Sequence, residues 1–441
     1  MKLSQLSVSR PTLRQDVDAD QAIAREYKLS DYPKLRAQRR RNAAYLLYAD
    51  VQRCYPSIYT HSIAWAIEGR AKVKNNLRKS GKKREDLLGD RLDLLSRRMQ
   101  DGQSVGIPIG PETSHILAEV VLSAVDARFQ EAMGEPLQGF RAVDDYELAF
   151  VSRSAAEKAL AELQSTLLKY ELQLNERKTH IVKLPDVLQD SWTNALRSVG
   201  SDDLLALFSR AFELVHQYPD KSILRYAISI VHEAEIEEDS WPVYQNILLQ
   251  CAASEPGTLR YVTTELARAR DNGLKIDEPG VRELCSYLIG MHARLGHGSE
   301  VSWALWLAIV LDVSLPATTL NDLATMVDPF VPVLALWAEE RGRIDGRLNK
   351  APWEKVVVDE GLEGSHWLLT YEGAARGWLG RDAERRVAED EVFGWLSRRD
   401  ASFFDGEASV LDLKRWTEMS PYGESTHSGA APESESSNLP F

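Results

Sequence analysis

Cysteine is scarce: Cys54, Cys251 and Cys285 are the only three in 441 residues, and they match neither a disulfide framework nor a thiolate metal site. A reducing compartment is the expectation. Long apolar runs are missing too. The longest, Trp303 to Leu311, falls well short of the roughly 20 residues that span a bilayer, and the opening MKLSQLSVSR has no apolar signal core. A soluble cytoplasmic protein without membrane attachment is therefore expected. The nine histidines show no metal-ligand spacing. His292 and His297, an i,i+5 pair, do not share a helix face, which argues against a ligand role.

What the chain does have is charge, unevenly divided. The net charge is −13, but residues 1–190 carry 30 Lys+Arg against 26 Asp+Glu, whereas residues 191–441 carry 23 against 40. Two basic clusters stand in the first part: Lys34, Arg36, Arg39, Arg40 and Arg41, then Arg70 to Arg98. Such patches suit phosphate neutralisation, and the acidic remainder does not.

In chain order, residues 1–42 are polar with a helical tendency and a break at Asp31-Tyr32-Pro33. Ala43 to Val51 (AAYLLYADV) reads as a buried strand carrying Asp50 near its tip. A turn at Pro56-Ser57 opens an amphipathic helix to about Gly69. The Gly- and Pro-rich GQSVGIPIGP, residues 102–111, cannot be regular helix, and it launches a long helix from Glu112 to Met133. Strands near Phe140–Val143 and Glu147–Val151 flank Asp144-Asp145 in LQGFRAVDDYELAFV, placing two carboxylates at a hairpin bend. Adjacent anions at a turn repel, and a divalent cation between them relieves that repulsion. Asp202-Asp203 is a useful control, expected only to open a helix. A helix from Ser154 to Tyr170, the turn LNERKT and a strand from His180 to Leu184 complete this part. The order suits an antiparallel sheet backed by helices.

Four stretches in this order resemble the palm of reverse transcriptases: ADVQRCYPSI, GQSVGIPIGP, RAVDD and LNERKT. The wording YPSIYTHSIAWAI and GIPIGPETSHILAE is closest to the prokaryotic defence-associated, abortive-infection type. The resemblance covers roughly residues 43–185. It implies an α+β palm at residues 43–190, preceded by abbreviated fingers in residues 1–42.

Nucleotidyl transfer needs two cations bridging the incoming triphosphate and the attacking 3′-hydroxyl. Asp50 and Asp144 would be shared ligands for two Mg²⁺ ions, with Mn²⁺ as a substitute, Asp145 as the third carboxylate and the Val51 carbonyl as a main-chain ligand. By resemblance, Tyr55 is the aromatic gate that favours dNTPs, and Lys178 approaches the triphosphate or protonates the leaving pyrophosphate. Gly106 and Gly110 let backbone approach the nucleotide, and Arg39 and Arg41 are candidate phosphate contacts. Three departures stand out. Ala142 replaces an aromatic two residues before the first hairpin Asp, Ile109 replaces a Gln, and only 49 residues precede Asp50. They bear on primer and template handling more than on metal chemistry.

From Trp192 to Arg399 the chain reads as helical segments: Asp203–Gln217, Lys221–Ala234, Trp241–Ala253, Thr258–Asn272, Val281–Leu295, Glu300–Val313, Leu320–Met326, Val331–Arg341, Leu362–Trp378 and Glu384–Arg398. Their lengths suggest a degenerate HEAT-like repeat domain over residues 191–400, as in the defence-associated relatives. Trp303, Trp306, Trp337, Trp367, Trp378 and Trp395 are expected in its core. Residues 401–441 form a C-terminal segment, with the Ser-, Glu- and Gly-rich tail from Ser420 expected to be disordered.

The resulting expectation is a Mg²⁺-dependent DNA polymerase in antiphage defence. It would copy an RNA, such as a non-coding RNA, or extend DNA without a template from a protein hydroxyl. The acidic helices would bind protein, including further copies of the chain. The alternative is a catalytically silent scaffold acting through the repeats.

Overall fold

A computed structural model describes residues 4–13, 23–27, 31–78, 85–232, 234, 236–326 and 328–407 of the chain. It is an α+β protein of two compact units, Met1–Asp190 and Ser191–Phe441. The expected disordered tail from Ser420 lies outside the described residues.

The first unit is built on a four-stranded antiparallel sheet. Strands β1 (Pro11–Leu13) and β2 (Ile23–Arg25) form a separate antiparallel pair, and helix α1 (Tyr32–Arg39) follows. This corrects the helical tendency read into residues 1–42. The break expected at Asp31-Tyr32-Pro33 is where α1 begins, with Pro33 in its first turn, which needs no proline N–H. The sheet comprises β3 (Tyr45–Asp50), β4 (Gln138–Ala142), β5 (Asp145–Phe150) and β6 (His180–Lys183), in the order β4-β5-β3-β6. Between β3 and β4 run α2 (Cys54–Ser57), α3 (His61–Glu68), α4 (Arg70–Leu77), α5 (Leu88–Arg98) and α6 (Glu112–Met133); α7 (Arg153–Leu168) joins β5 to β6.

Period-2 alternation assigns the two faces of the sheet. Leu47, Ala49 and Val51 of the β3 segment, with Tyr146, Leu148 and Phe150 of β5, pack on Val121, Leu122, Val125 and Phe129 of α6 and on Ala156, Ala159 and Leu163 of α7. Their neighbours Tyr48, Asp50, Asp145 and Glu147 therefore belong to the opposite face. There Arg36 and Arg40 donate to Glu147 at 2.9 Å each, and Arg40 also reaches Tyr48 Oη at 2.8 Å. Two members of the first basic cluster are thus held by a buried carboxylate, leaving Arg39 and Arg41 exposed. In the second cluster, Arg97 is held by Asp93 and Arg70 pairs with Glu171.

The second unit is helical: α8 (Ser191–Arg197), α9 (Leu204–Gln217), α10 (Ile223–His232), α11 (Trp241–Ser254), α12 (Leu259–Asp271), α13 (Glu278–His292), α14 (Gly298–Val310), α15 (Val331–Glu340), α16 (Ala351–Asp359), α17 (Trp367–Ala375), α18 (Arg381–Glu389) and α19 (Glu391–Ser397). Two dipeptide strands, β7 (Leu315–Pro316) and β8 (Ile344–Asp345), pair in parallel. Asp203 caps α9 by accepting from the Ala206 amide, as the control pair was expected to do.

Three expectations change here. The segment at Leu320–Met326 belongs to a 3₁₀ turn, Ala317–Thr325. The segment Glu384–Arg398 is two helices, because Asp390 accepts from the amides of Val392 and Phe393 and so caps a new start. Trp395 is 49% exposed instead of core, with the Arg399 guanidinium 4.0 Å above its ring. Trp337 and Trp378 are buried, and Trp303, Trp306 and Trp367 pack partly buried against the core. The three cysteines are buried free thiols that burial pushes up to about 12. No helix among the described residues is long and apolar enough to cross a membrane.

Candidate active site

The sheet's register assembles the site. Asp50 ends β3 directly opposite Asp145, the first residue of β5, and Ala142 stands opposite Asp145 on the other side. Facing residues on an antiparallel pair have Cβ atoms roughly 5 Å apart, so two carboxylates distant in sequence meet by pairing alone. Asp50 is 6% exposed and faces Asp145 across the register. The Val51 amide donates to the Asp144 carbonyl at 3.1 Å, tying the tip of β3 to the bend.

Asp145 is thus the hairpin acid that the register sets opposite Asp50. The reason is the turn: it comprises only Val143 and Asp144, and β5 begins at Asp145. Asp145 is itself an exposed residue, yet the packing around its carboxyl, reinforced by the charges of Asp144 and Asp50, pushes it up to about 7. Asp144 is raised as well, by desolvation first and by Asp50 next. Among the described residues, Lys178 supplies the one cation in direct contact with these acids, donating from Nζ to Asp50 Oδ2 at 2.9 Å. Its own ammonium is favoured by that bond, and its side chain is 65% exposed, so it can withdraw into solvent.

The turn that carries Lys178 is fastened to the same strand. The Asn175 amide donates to the Asp50 carbonyl at 2.8 Å, and the Asn175 side chain accepts from the Arg177 amide. Asn175 therefore sets the position of LNERKT, a role its letter in the motif did not disclose.

Below the bend lies a network with no precedent in the sequence reading. Arg141, fully buried on the helix-facing side of β4, donates to Glu119 at 2.9 Å, to Asp126 at 2.9 Å and to the Val143 carbonyl at 2.6 Å. Ser9 Oγ donates to Glu119 at 2.9 Å and accepts from the Val143 amide at 2.7 Å. Ser7 donates to the same carboxylate, and Tyr146 Oη donates to Asp126 at 2.7 Å. Burial alone would raise the Glu119 carboxyl; Arg141, with Ser9 and Ser7, outweighs it and holds the group below the usual range. Val143 has φ +55°, a costly conformation for a β-branched residue, and Arg141 and Ser9 grip its two peptide groups. The segment around Ser7 lies parallel to β4, with the Arg141 amide donating to Leu6 and the Val8 amide to Arg141.

Tyr55 and Gly106 form a second grouping. The Ile107 amide donates to the Tyr55 carbonyl at 3.0 Å, and the Gly106 amide to Ile58 at 2.8 Å, docking GQSVGIPIGP on α2. Gly106 has φ +91°, and a Cβ there would meet the Pro56 carbonyl at 3.2 Å, so only glycine fits without strain. Tyr55 Oη lies 3.3 Å from His115 Nδ1, while His115 Nε2 reaches the Ser9 carbonyl at 2.8 Å. Gly110 has open space around it, and Ile109 is 74% exposed. Among the described residues, no hydrogen bond or ion pair ties Arg39 or Arg41 to the acidic end.

The donor set suits a hard divalent cation: three carboxylates at one end of the sheet, two of them with raised pKa values, and an ammonium as their counter-charge. The three acids are not drawn as tightly as a closed chelate. Among the described residues, the one set of three donor side chains with ligand atoms all within 4.8 Å of one another is His292, His297 and Glu300 in the second unit. The fold and this site define an α+β protein with an acid-tipped antiparallel sheet. No protein-family model matches the chain, and no curated protein matches it in sequence.

Proposed function

We propose that the first unit is a reverse-transcriptase-like palm that makes DNA from dNTPs, and that the helical unit is a HEAT-like repeat domain. The observation that carries this reading is the pairing of Asp50 with Asp145 across the β3–β5 register, with Lys178 on Asp50. Four sequence stretches that resemble the palm motifs fall on that sheet and on the segments docked to it.

Asp50, Asp144 and Asp145, with the Val51 carbonyl, would hold Mg²⁺, or Mn²⁺ in its place. Divalent ions bound there neutralise a triphosphate and lower the pKa of an attacking 3′-hydroxyl. Lys178 leaves Asp50 when that charge is met and is then free to contact the triphosphate or give a proton to the departing pyrophosphate. Tyr55, its hydroxyl held by His115, presents its ring against a ribose 2′-hydroxyl. The Arg141 network keeps the bend in one conformation, so the carboxylates are placed before substrate arrives.

The defence role rests on the family resemblance, and the cytoplasmic location on the unpaired cysteines and the absence of an apolar signal core in MKLSQLSVSR. The acidic helices, which repel nucleic acid, favour protein partners or further copies of the chain. The test is to incubate purified protein with Mg²⁺ and single or mixed dNTPs, with and without nuclease pretreatment. Nuclease-sensitive DNA synthesis indicates an RNA template, and DNA migrating covalently with protein indicates protein priming. Absence of product from wild type, under conditions where the protein is folded, would sink the polymerase reading in favour of a scaffold.

A further inference from the structure

Helix α13 ends at His292, and the chain makes one 3₁₀ turn over Ala293–Leu295 before Gly296, at φ +70°, sends it back. The His297 amide then donates to the His292 carbonyl at 3.1 Å, and α14 begins at Gly298. This return invalidates the helix-face argument against the pair, since the two histidines are not on one helix. Their Nδ1 atoms face each other at 2.9 Å, with ring centroids 5.2 Å apart and planes tilted by 38°. The rings meet through nitrogens, not faces. Glu300, in the first turn of α14, brings a carboxylate oxygen within 4.8 Å of both.

We infer that His292, His297 and Glu300 form a second metal site, selective for a Zn²⁺-class ion and separate from the acidic site of the first unit. Two imidazole nitrogens and one carboxylate oxygen are a donor set that favours Zn²⁺ or Co²⁺ over Mg²⁺ or Ca²⁺. Tetrahedral ligation with Zn–N bonds near 2.0–2.1 Å places the two nitrogens about 3.3 Å apart, so the present pair has only a few tenths of an ångström to open. His297 is exposed while His292 and Glu300 are half-buried, which leaves a fourth position open to water.

Without metal, the close Nδ1 contact requires one ring to carry its proton on Nδ1 and the other to accept. Metal binding moves that proton to Nε2 of the same ring through water, with no net proton release when both imidazoles are neutral. The ion would cross-link the end of α13 to the start of α14 and stiffen the turn between them.

The test uses the full-length protein, stripped of metal and held in excess Mg²⁺ so that oxygen-only sites are loaded. Zn²⁺ is titrated calorimetrically, and Co²⁺ is followed by its visible absorption. One equivalent bound by wild type and by Asp50→Asn, with affinity at least tenfold weaker in His292→Ala and in His297→Ala, is the expected result. Glu300→Gln should bind more weakly than wild type, and circular dichroism checks that every variant folds. No stoichiometric uptake, uptake unchanged in the His292→Ala/His297→Ala double variant, or uptake lost in Asp50→Asn would each overturn the site. None of these outcomes bears on DNA synthesis.

Discussion

Replacing Arg141 by Met isolates the electrostatics beneath the bend. The guanidinium is fully buried between Glu119 and Asp126, whose side chains are 1% and 2% exposed. Removing the cation from a buried ion pair costs about 3–5 kcal/mol, because the partner charge is left without compensation. Here two carboxylates are left, but each keeps hydroxyl donors, Ser7 and Ser9 on Glu119 and Tyr146 on Asp126. The loss should therefore fall within that range, near 4 kcal/mol, instead of doubling it. A chain of two compact units is not expected to unfold in one step, so global denaturation is a poor readout. Native-state hydrogen exchange on peptides from β3, β4 and β5 reports the opening free energy of the sheet itself. Adding Glu119→Gln and Asp126→Asn to the Met variant should recover at least half of the loss. A drop below about 1 kcal/mol in Arg141→Met, or no recovery in the triple variant, would refute the argument that buried charge compensation holds the bend. Because Glu119 sits below its usual range, its share of stability is present at neutral pH and is lost as pH falls through its depressed folded value.

Asp145 has the opposite sign. Its folded pKa, raised to about 7, means that the folded chain holds a proton the unfolded chain releases, so its effect in EDTA should weaken stability as pH rises from about 4 to 7. The difference between wild type and Asp145→Asn in the opening free energy of β3–β5 peptides by native-state hydrogen exchange should show that slope, and a difference independent of pH would contradict it. Lys178→Met should leave stability within about 1 kcal/mol, since its side chain is 65% exposed, yet lower steady-state dNTP incorporation by about 10²-fold or more. Val143→Gly should stabilise β4–β5 by about 1 kcal/mol in hydrogen exchange, because glycine accepts φ +55° without the strain of a β-branched side chain.

Much of the acidic site was legible because strand ends and turns have local signals. Asp50 at the end of an apolar run and two acids between alternating strands imply convergence once an antiparallel sheet is assumed. Which hairpin acid meets Asp50 was not legible, since a shift of one residue in the turn exchanges Asp144 for Asp145. Arg141, Glu119 and Ser9 were hidden because the ion pair joins a strand to a helix 22 positions back and Ser9 reaches Glu119 across 110 more, and single letters carry no trace of either. The closeness of His292 and His297 was not legible for another reason: the helix-face argument that set the pair aside holds only inside a helix, and the helix stops at His292. LGHG just beyond it, with Gly296 at the reversal, was the available signal. Asp390 likewise offered a readable cap inside what looked like one helix.

The first few described residues have a consequence for handling the protein. Leu6 to Val8 run alongside β4 and occupy its outer hydrogen-bonding edge. Cutting them away would leave a bare edge able to recruit another chain, so shortened forms should self-associate into β-rich aggregates.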